Sequence, residues 1–304
     1  MHAVSIGVDV GGTKTHVAVI DVENSRRDHI VPSSLWRTGA LFDDAENFTR
    51  LIALILTIAR VDENTSLVFG MHGCDNAAQR VAAKALLSQR VRGRVHAIND
   101  AALLAPASGV GVCIQLIVGT GTVMLGETAD GEHLSVEGYG WLLGDHGSAP
   151  ALVRDAMRLL VRRADRTVRG DPFADPFARE LAKVYGARDV TELALAFTVG
   201  ASATTWGAHA ALLFDSAAQG SVIANDTIDA AAATLAEGVV ALVRRGAIGT
   251  TIVAAGGVIV NQPRLQSGLR AELARVAPAH ELIVLTAPPV DGALALAAGL
   301  RDQL

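Results

Sequence analysis

A chain of 304 residues with a formal net charge of -5 has room for two α/β lobes, but it lacks the clustered Lys and Arg excess that a nucleic-acid backbone demands. Half of its residues are hydrophobic, yet no run of about 18 uninterrupted apolar residues occurs, which excludes an apolar membrane-spanning helix. Only Cys74 and Cys113 are present, without CxxC spacing, so a disulfide framework and a cysteine zinc site are both excluded.

Val4 to Val10 is an apolar run that meets Gly11-Gly12, and Thr15 to Val22 alternates, so the spacing predicts two strands joined by a tight glycine turn. Asp43 to Arg60 carries apolar positions at helical spacing behind Asp43-Asp44, which reads as a capped start, and Leu67 to Met71 reads as a buried strand. Asn76 to Gln89 is Ala-rich and helical. Arg94 to Ile98 is a strand, and Asn99-Asp100 falls where it gives way to the next helix, the strand end at which α/β sheets place ligands. The opening segment has no basic region ahead of its apolar stretch, and the cytoplasm is the expected compartment.

A second hairpin follows, Val112 to Val118 and Val123 to Glu127, around Gly119-Thr120-Gly121-Thr122. From Ala149 to Arg245 the pattern is helical, broken by the polar, proline-containing stretch from Gly170 to Pro176. Thr250 to Ala255 returns to a strand ending in Gly256-Gly257, Leu282 to Leu285 is another, and Val290 to Leu300 closes the chain as a small-residue helix. Arg158, Arg162, Arg163, Arg166 and Arg169 lie along one helical face and its end and read as solvated.

Several of these segments carry residues suited to chemistry. In Gly11-Gly12-Thr13-Lys14 small residues let backbone amides approach phosphate oxygens, Thr13 adds a hydroxyl, and Asp9 is placed to hold magnesium through water; an ordinary hairpin turn is the alternative. The GxxxxGK[ST] pattern is absent, so this is not a P-loop. Gly119 to Thr122 is a turn of the same chemical kind. Gly256-Gly257 gives room for a flat nucleoside, or is a packing pair. Asp100 is the candidate catalytic base and Asn99 a candidate sugar contact; both are also good caps for the helix that follows. Asp145, in GWLLGDHGS, either meets a sugar or caps the next helix, and Trp141 beside it packs near that site or in the core. His72, His146 and His209 show no metal-ligand spacing.

In chain order, DVGGTKT, the Asn99-Asp100 pair, GTGT, GWLLGDHGS, AAGG and GALALAAGL resemble the N-acetylglucosamine kinase and BadF/BadG/BcrA/BcrD ATPase family of actin-like sugar kinases, across essentially the whole chain. That resemblance implies an α/β fold with two ribonuclease-H-like lobes around an ATP cleft. The lobes are expected over 1–108 and 109–304, the second with a helical insertion and its final helix packing back on the first. It implies ATP and Mg2+ as cofactors, a small sugar as partner, a homodimer, and phosphorylation of a hydroxyl on N-acetylglucosamine, a related amino sugar or a hexose.

By position, Gly11, Gly12, Thr13 and Lys14 match the family's first phosphate loop and Gly119 through Thr122 its second. Gly256 and Gly257 match the adenosine-side glycines, Asp9 the magnesium aspartate, Asp100 the base, and Asn99, Asp145 and His72 the sugar-binding positions. The chain departs from the pattern in three places. His146 stands where relatives carry Glu, Arg37 to Asp44 lacks an Asn-containing sugar loop, and His72 replaces a small hydroxyl residue. An ATPase activator of the same fold, and a sugar or nucleotide sensor without turnover, are the other two readings. The activator requires cysteine ligands for an iron-sulfur cluster, and Cys74 and Cys113 are poorly placed for that.

Overall fold

The computed structural model describes residues 3–166 and 170–301, so Arg169 of the arginine run lies outside the described residues. The strands are β1 Ala3–Val10, β2 Lys14–Asp21, β3 Arg26–Pro32, β4 Ser66–Met71, β5 Arg94–Ile98, β6 Ile114–Val118, β7 Thr122–Glu127, β8 His133–Glu137, β9 Thr251–Ala255 and β10 Glu281–Val284. The helices are α1 Glu46–Ile58, α2 Ala77–Ser88, α3 Leu104–Ser108, α4 Ala149–Arg166, α5 Pro176–Tyr185, α6 Val190–Thr198, α7 Ala203–Gly207, α8 Ala210–Ala218, α9 Val222–Arg244, α10 Gly257–Asn261, α11 Pro263–Val276 and α12 Val290–Arg301.

These elements build two five-stranded sheets, β3-β2-β1-β4-β5 and β8-β7-β6-β9-β10. The second repeats the order of the first, each starting from a glycine hairpin. The chain divides into two compact units: one runs to Gln115 and takes in the segment from Leu285 onward, the other is Leu116–Val284. Residues 109–113, which lead from α3 into β6, therefore cluster with the first unit.

In the first unit β1 pairs antiparallel with β2, placing Asp9 opposite His16, and parallel with β4; β4 pairs in parallel with β5. The carboxyl ends of β1, β4 and β5 therefore share one edge of the sheet. One face is closed by the apolar stripe of α1, with Phe48, Leu51, Ile52 and Ile55 packed on Ile6, Val8, Val17 and Phe69. On the other face Ala293 and Ala297 of α12 meet Val68 and Leu103. Gly7 makes that approach possible, because a Cβ there would lie 2.9 Å from the backbone of both Val290 and Leu294. Both cysteines are free and buried, and burial with the charge of Asp75 pushes the Cys74 thiol up to about 12.

Some local expectations are corrected. The first helix starts at Glu46 rather than behind a capping Asp43: Asp43 accepts from the Ala40 amide, and Asp44 accepts from the Glu46 amide. The long helix α9 starts at Val222, where the Ser221 hydroxyl accepts from the Ala224 amide. Two sheet-edge strands, β3 and β8, went unpredicted because their sequences, RRDHIVP and HLSVE, are charged and largely exposed, as protected edges are. Arg158, Arg162 and Arg166 are exposed, while Arg163 pairs with Asp226 at 2.6 Å.

Candidate functional site

The hairpin between β1 and β2 is closed by the Gly11 amide donating to the Lys14 carbonyl at 2.9 Å. Its next carbonyls are held from behind. The Ser33 hydroxyl donates to Gly11 O at 3.0 Å, the Arg37 guanidinium to Gly12 O at 2.9 Å and the Ser33 amide to Thr13 O at 2.9 Å. Ser33 Oγ also lies 3.0 Å from Thr15 Oγ1, which accepts from the Trp36 indole at 2.9 Å. With its carbonyls turned onto this buried network, the loop is held in one conformation, as an anion-binding turn requires. Neither Ser33 nor Arg37 carries a sequence signal for this, since the contacts span about twenty residues and arise only when β3 folds against β2.

Asp9, His72, Asn99 and Asp100 come together because they sit at or just past the carboxyl ends of β1, β4 and β5. Asn99 caps the short 3-10 turn Asp100–Leu103: the Ala101 amide donates to Asn99 Oδ1 at 2.9 Å and to Asp100 Oδ1 at 3.1 Å, and Asn99 Nδ2 donates to Asp75 at 3.0 Å. The capping role is thus real. It leaves Asp100 Oδ2 facing His72, whose Nδ1 lies 3.9 Å away, while the His72 amide donates to the Val10 carbonyl at 2.8 Å. Burial, and then the charge of Asp75, lifts the Asp100 carboxyl to about 7. Burial, and then the charge of Asp100, lifts Asp9 to about 7 against the pull of Lys14.

The second unit holds the other predicted residues. Gly119 donates to the Gly121 carbonyl at 2.9 Å and accepts from the Ala149 amide at 2.8 Å, which ties the turn to the start of α4. Thr120 is exposed. The Thr122 hydroxyl is buried without a hydrogen-bond partner, an orphaned polar group at the head of β7. Gly256 and Gly257 abut this turn: a Cβ on Gly119 would lie 3.5 Å from the Gly257 amide nitrogen. Gly256 has φ 108 and faces the Val118 backbone, so its role in packing is real, whereas the Cβ position of Gly257 faces open space.

Asp145 is buried at φ 55, and its Oδ1 accepts from the Gly140 amide at 3.1 Å. His146 is held by Glu137, with Nδ1 2.8 Å from Oε1. Trp141 packs edge-on against Trp206 at 4.8 Å. Arg154, which sequence reasoning passed over, is buried, and its Nη1 donates to the Trp141 and Gly144 carbonyls of the same loop. The signal available was a lone arginine set between the apolar positions Val153 and Met157 of an otherwise buried helix face.

The profile of the BadF/BadG/BcrA/BcrD ATPase family matches residues 6–297. The chain belongs to that family. Among curated relatives, this BadF-family chain is 28% identical over 177 residues to the N-acetyl-D-glucosamine kinase of Dictyostelium discoideum, covering 53% of the chain and 55% of the relative. It spans about half the length of the curated relatives it matches. In fold it is similar to a structure from Chromobacterium violaceum named for an N-acetylglucosamine kinase, with a TM-score of 0.73 at 20% identity over 97% and 99% of the two chains. A ROK family glucokinase from Streptomyces griseus, solved with glucose and AMPPNP, gives a TM-score of 0.62 at 20% identity over 99% of both. The structural likenesses show the α/β fold, and the profile shows the ATPase family.

Among the described residues no group of three His, Cys, Asp or Glu is placed to hold a metal on its own, and no helix is long and apolar enough to cross a membrane. What the chain does present is chemically specific. It has two restrained glycine turns, a pair of carboxyls lifted toward neutrality, and a buried carboxylate on a strained loop.

Proposed function

We propose that this BadF-family chain is an ATP-dependent kinase that phosphorylates a hydroxyl of a sugar, with N-acetylglucosamine or a related amino sugar or hexose as acceptor. The observation that carries the reading is Asp100: a buried carboxyl lifted to about 7, on the strand-end edge that also bears the first glycine hairpin. A proton acceptor poised near neutral pH is what hydroxyl activation needs. The names of the relatives point to the same chemistry.

In this reading the acceptor hydroxyl gives its proton to Asp100 as its oxygen bonds to the γ-phosphorus, the β–γ bridging P–O bond breaks, and ADP leaves. Asn99, His72 and Asp145 are the sugar-binding residues in this reading, with Asn99 and His72 beside Asp100. Gly11, Gly12, Thr13 and Lys14 offer amides, a hydroxyl and a cation to phosphate oxygens, and Gly119, Thr120, Gly121 and Thr122 are the second phosphate loop of the reading. The buried, partnerless Thr122 hydroxyl fits a role as donor to such an oxygen. Gly256 and Gly257 receive the adenosine. Asp9 fits a magnesium ion, since its carboxyl is raised by burial and by a neighbouring negative charge, both of which a cation offsets. When bound, magnesium supplies neutralising charge to the phosphates. The same proposal has the chain cytoplasmic and homodimeric.

The test is to supply purified protein with magnesium and ATP against hexoses, amino sugars and their N-acetyl forms. ADP release matched mole for mole by a sugar phosphate supports the proposal. ADP release with no phosphorylated sugar points to the ATPase-activator reading, and ligand binding without turnover to a sensor.

A further inference from the structure

The loop from Glu137 to Ser148 is held from both ends by charged side chains. At one end Arg154, on α4, is buried and oriented by Asp155, which accepts from its Nε at 2.9 Å and its Nη2 at 3.0 Å. That fork leaves Nη1 for the loop, where it reaches the carbonyls of Trp141 and, at 3.2 Å, Gly144. At the other end Glu137 receives both the His146 ring, at 2.8 Å, and the His146 amide, at 3.4 Å. A charge-assisted bond to a backbone carbonyl fixes a loop more firmly than a neutral one.

The loop needs such restraint. Three non-glycine residues of the described chain take a positive φ, and two of them, Glu137 at 65 and Asp145 at 55, bracket this loop. Backbone held in that region is costly for a residue with a Cβ and persists only where the surroundings enforce it. Nor does apolar burial supply the restraint, because Tyr139, Leu142 and Leu143 are 74%, 62% and 84% exposed. Only Trp141 is keyed into the protein, edge-on to Trp206, which in turn stacks on Phe197 at 4.4 Å.

We propose that Arg154 and Glu137 are positioning residues for the acceptor, pinning the two halves of the loop so that the buried Asp145 carboxylate is set before substrate arrives. This rests on the assignment of Asp145 to the acceptor, so the test has one arm that is independent of it. The two residues act through the loop and touch no substrate themselves, so they set acceptor affinity and leave the handling of ATP alone.

The variants are Arg154→Met, Arg154→Lys and Glu137→Gln. Lysine retains a cation for one carbonyl without the fork, and the Gln variant changes no volume, so the proposal does not depend on Arg154→Met folding. The first readout is chymotryptic cleavage within residues 139–143 of the native protein, followed by mass spectrometry. The second is the acceptor KM set against the ATP KM and kcat. Cleavage in the loop accelerates about tenfold in Arg154→Met and Glu137→Gln and less in Arg154→Lys, and acceptor KM rises about tenfold with ATP KM unchanged. Loop cleavage at the parent rate in both Glu137→Gln and Arg154→Lys overturns the proposal, as does a fall in kcat with acceptor KM unmoved. If the parent protein phosphorylates no sugar, the kinase reading has failed while the cleavage arm still decides the clamp.

Discussion

The charge of Asp100 raises the carboxyl of Asp9, so the two groups assigned to proton acceptance and cation binding are electrostatically coupled. Each is lifted from 3.8 to about 7, with burial as the first cause. A carboxyl whose folded value is raised favours folding fully below its unfolded value and withdraws that support as pH climbs through the folded value. For Asp100 the lift corresponds to about 4 kcal/mol, lost between about pH 4 and about pH 7. Asp100→Asn, which keeps the shape and removes the charge, therefore raises Tm at pH 8 and leaves it nearly unchanged at pH 4. Thermal melts across that range check this, and a uniform shift at all pH values refutes the burial argument.

Activity has the opposite sign. The proton acceptor works only when ionised, so kcat/KM for sugar falls as pH drops below about 7, with the limb moving to lower pH once a cation sits by Asp9. A pH profile at two magnesium concentrations shows whether the limb moves.

The glycine pair after β9 separates packing from ligand binding. A Cβ on Gly256 would sit 2.5 Å from the Val118 carbonyl oxygen in a backbone with φ 108, so Gly256→Ala costs about 3 kcal/mol or more and lowers Tm sharply. Gly257 opens α10 and faces open space, so Gly257→Ala changes stability by no more than about 0.5 kcal/mol and leaves Tm nearly in place. If adenosine lies against Gly257, that variant nevertheless weakens nucleotide binding, which titration with a non-hydrolysable ATP analogue measures.

Ser33→Ala removes the hydroxyl that supports both Gly11 O and Thr15 Oγ1. The expected loss is about 1–2 kcal/mol of stability from the unsatisfied partners, together with a raised ATP KM and an unchanged acceptor KM. Equal increases in both KM values would show that Ser33 serves the unit as a whole rather than its glycine turn.

Much of this was legible in the sequence, for physical reasons. The glycine turns, the buried strands and the Asn99-Asp100 junction declare themselves locally, because each rests on alternation or on a turn residue. The helix α11 was missed although Leu265, Leu269 and Leu273 recur at a spacing of four behind Pro263, because polar residues fill the gaps between them. Arg154, Ser33 and Arg37 were invisible for a different reason: each acts on a backbone carbonyl distant in sequence, and a carbonyl has no residue identity to read. The proposed role of Asp145 rests on a motif that is legible, but the left-handed backbone that sets its carboxylate is not, since aspartate carries no signature of φ.

The central claim is tested most directly by mass spectrometry of the reaction mixture, run side by side for the parent protein and Asp100→Asn with magnesium, ATP and the sugar panel. The account predicts a phosphorylated sugar from the parent and a rate reduced about 100-fold or more in the variant, with sugar binding retained. A variant that forms the sugar phosphate at the parent rate would contradict it, because an amide cannot accept the hydroxyl proton.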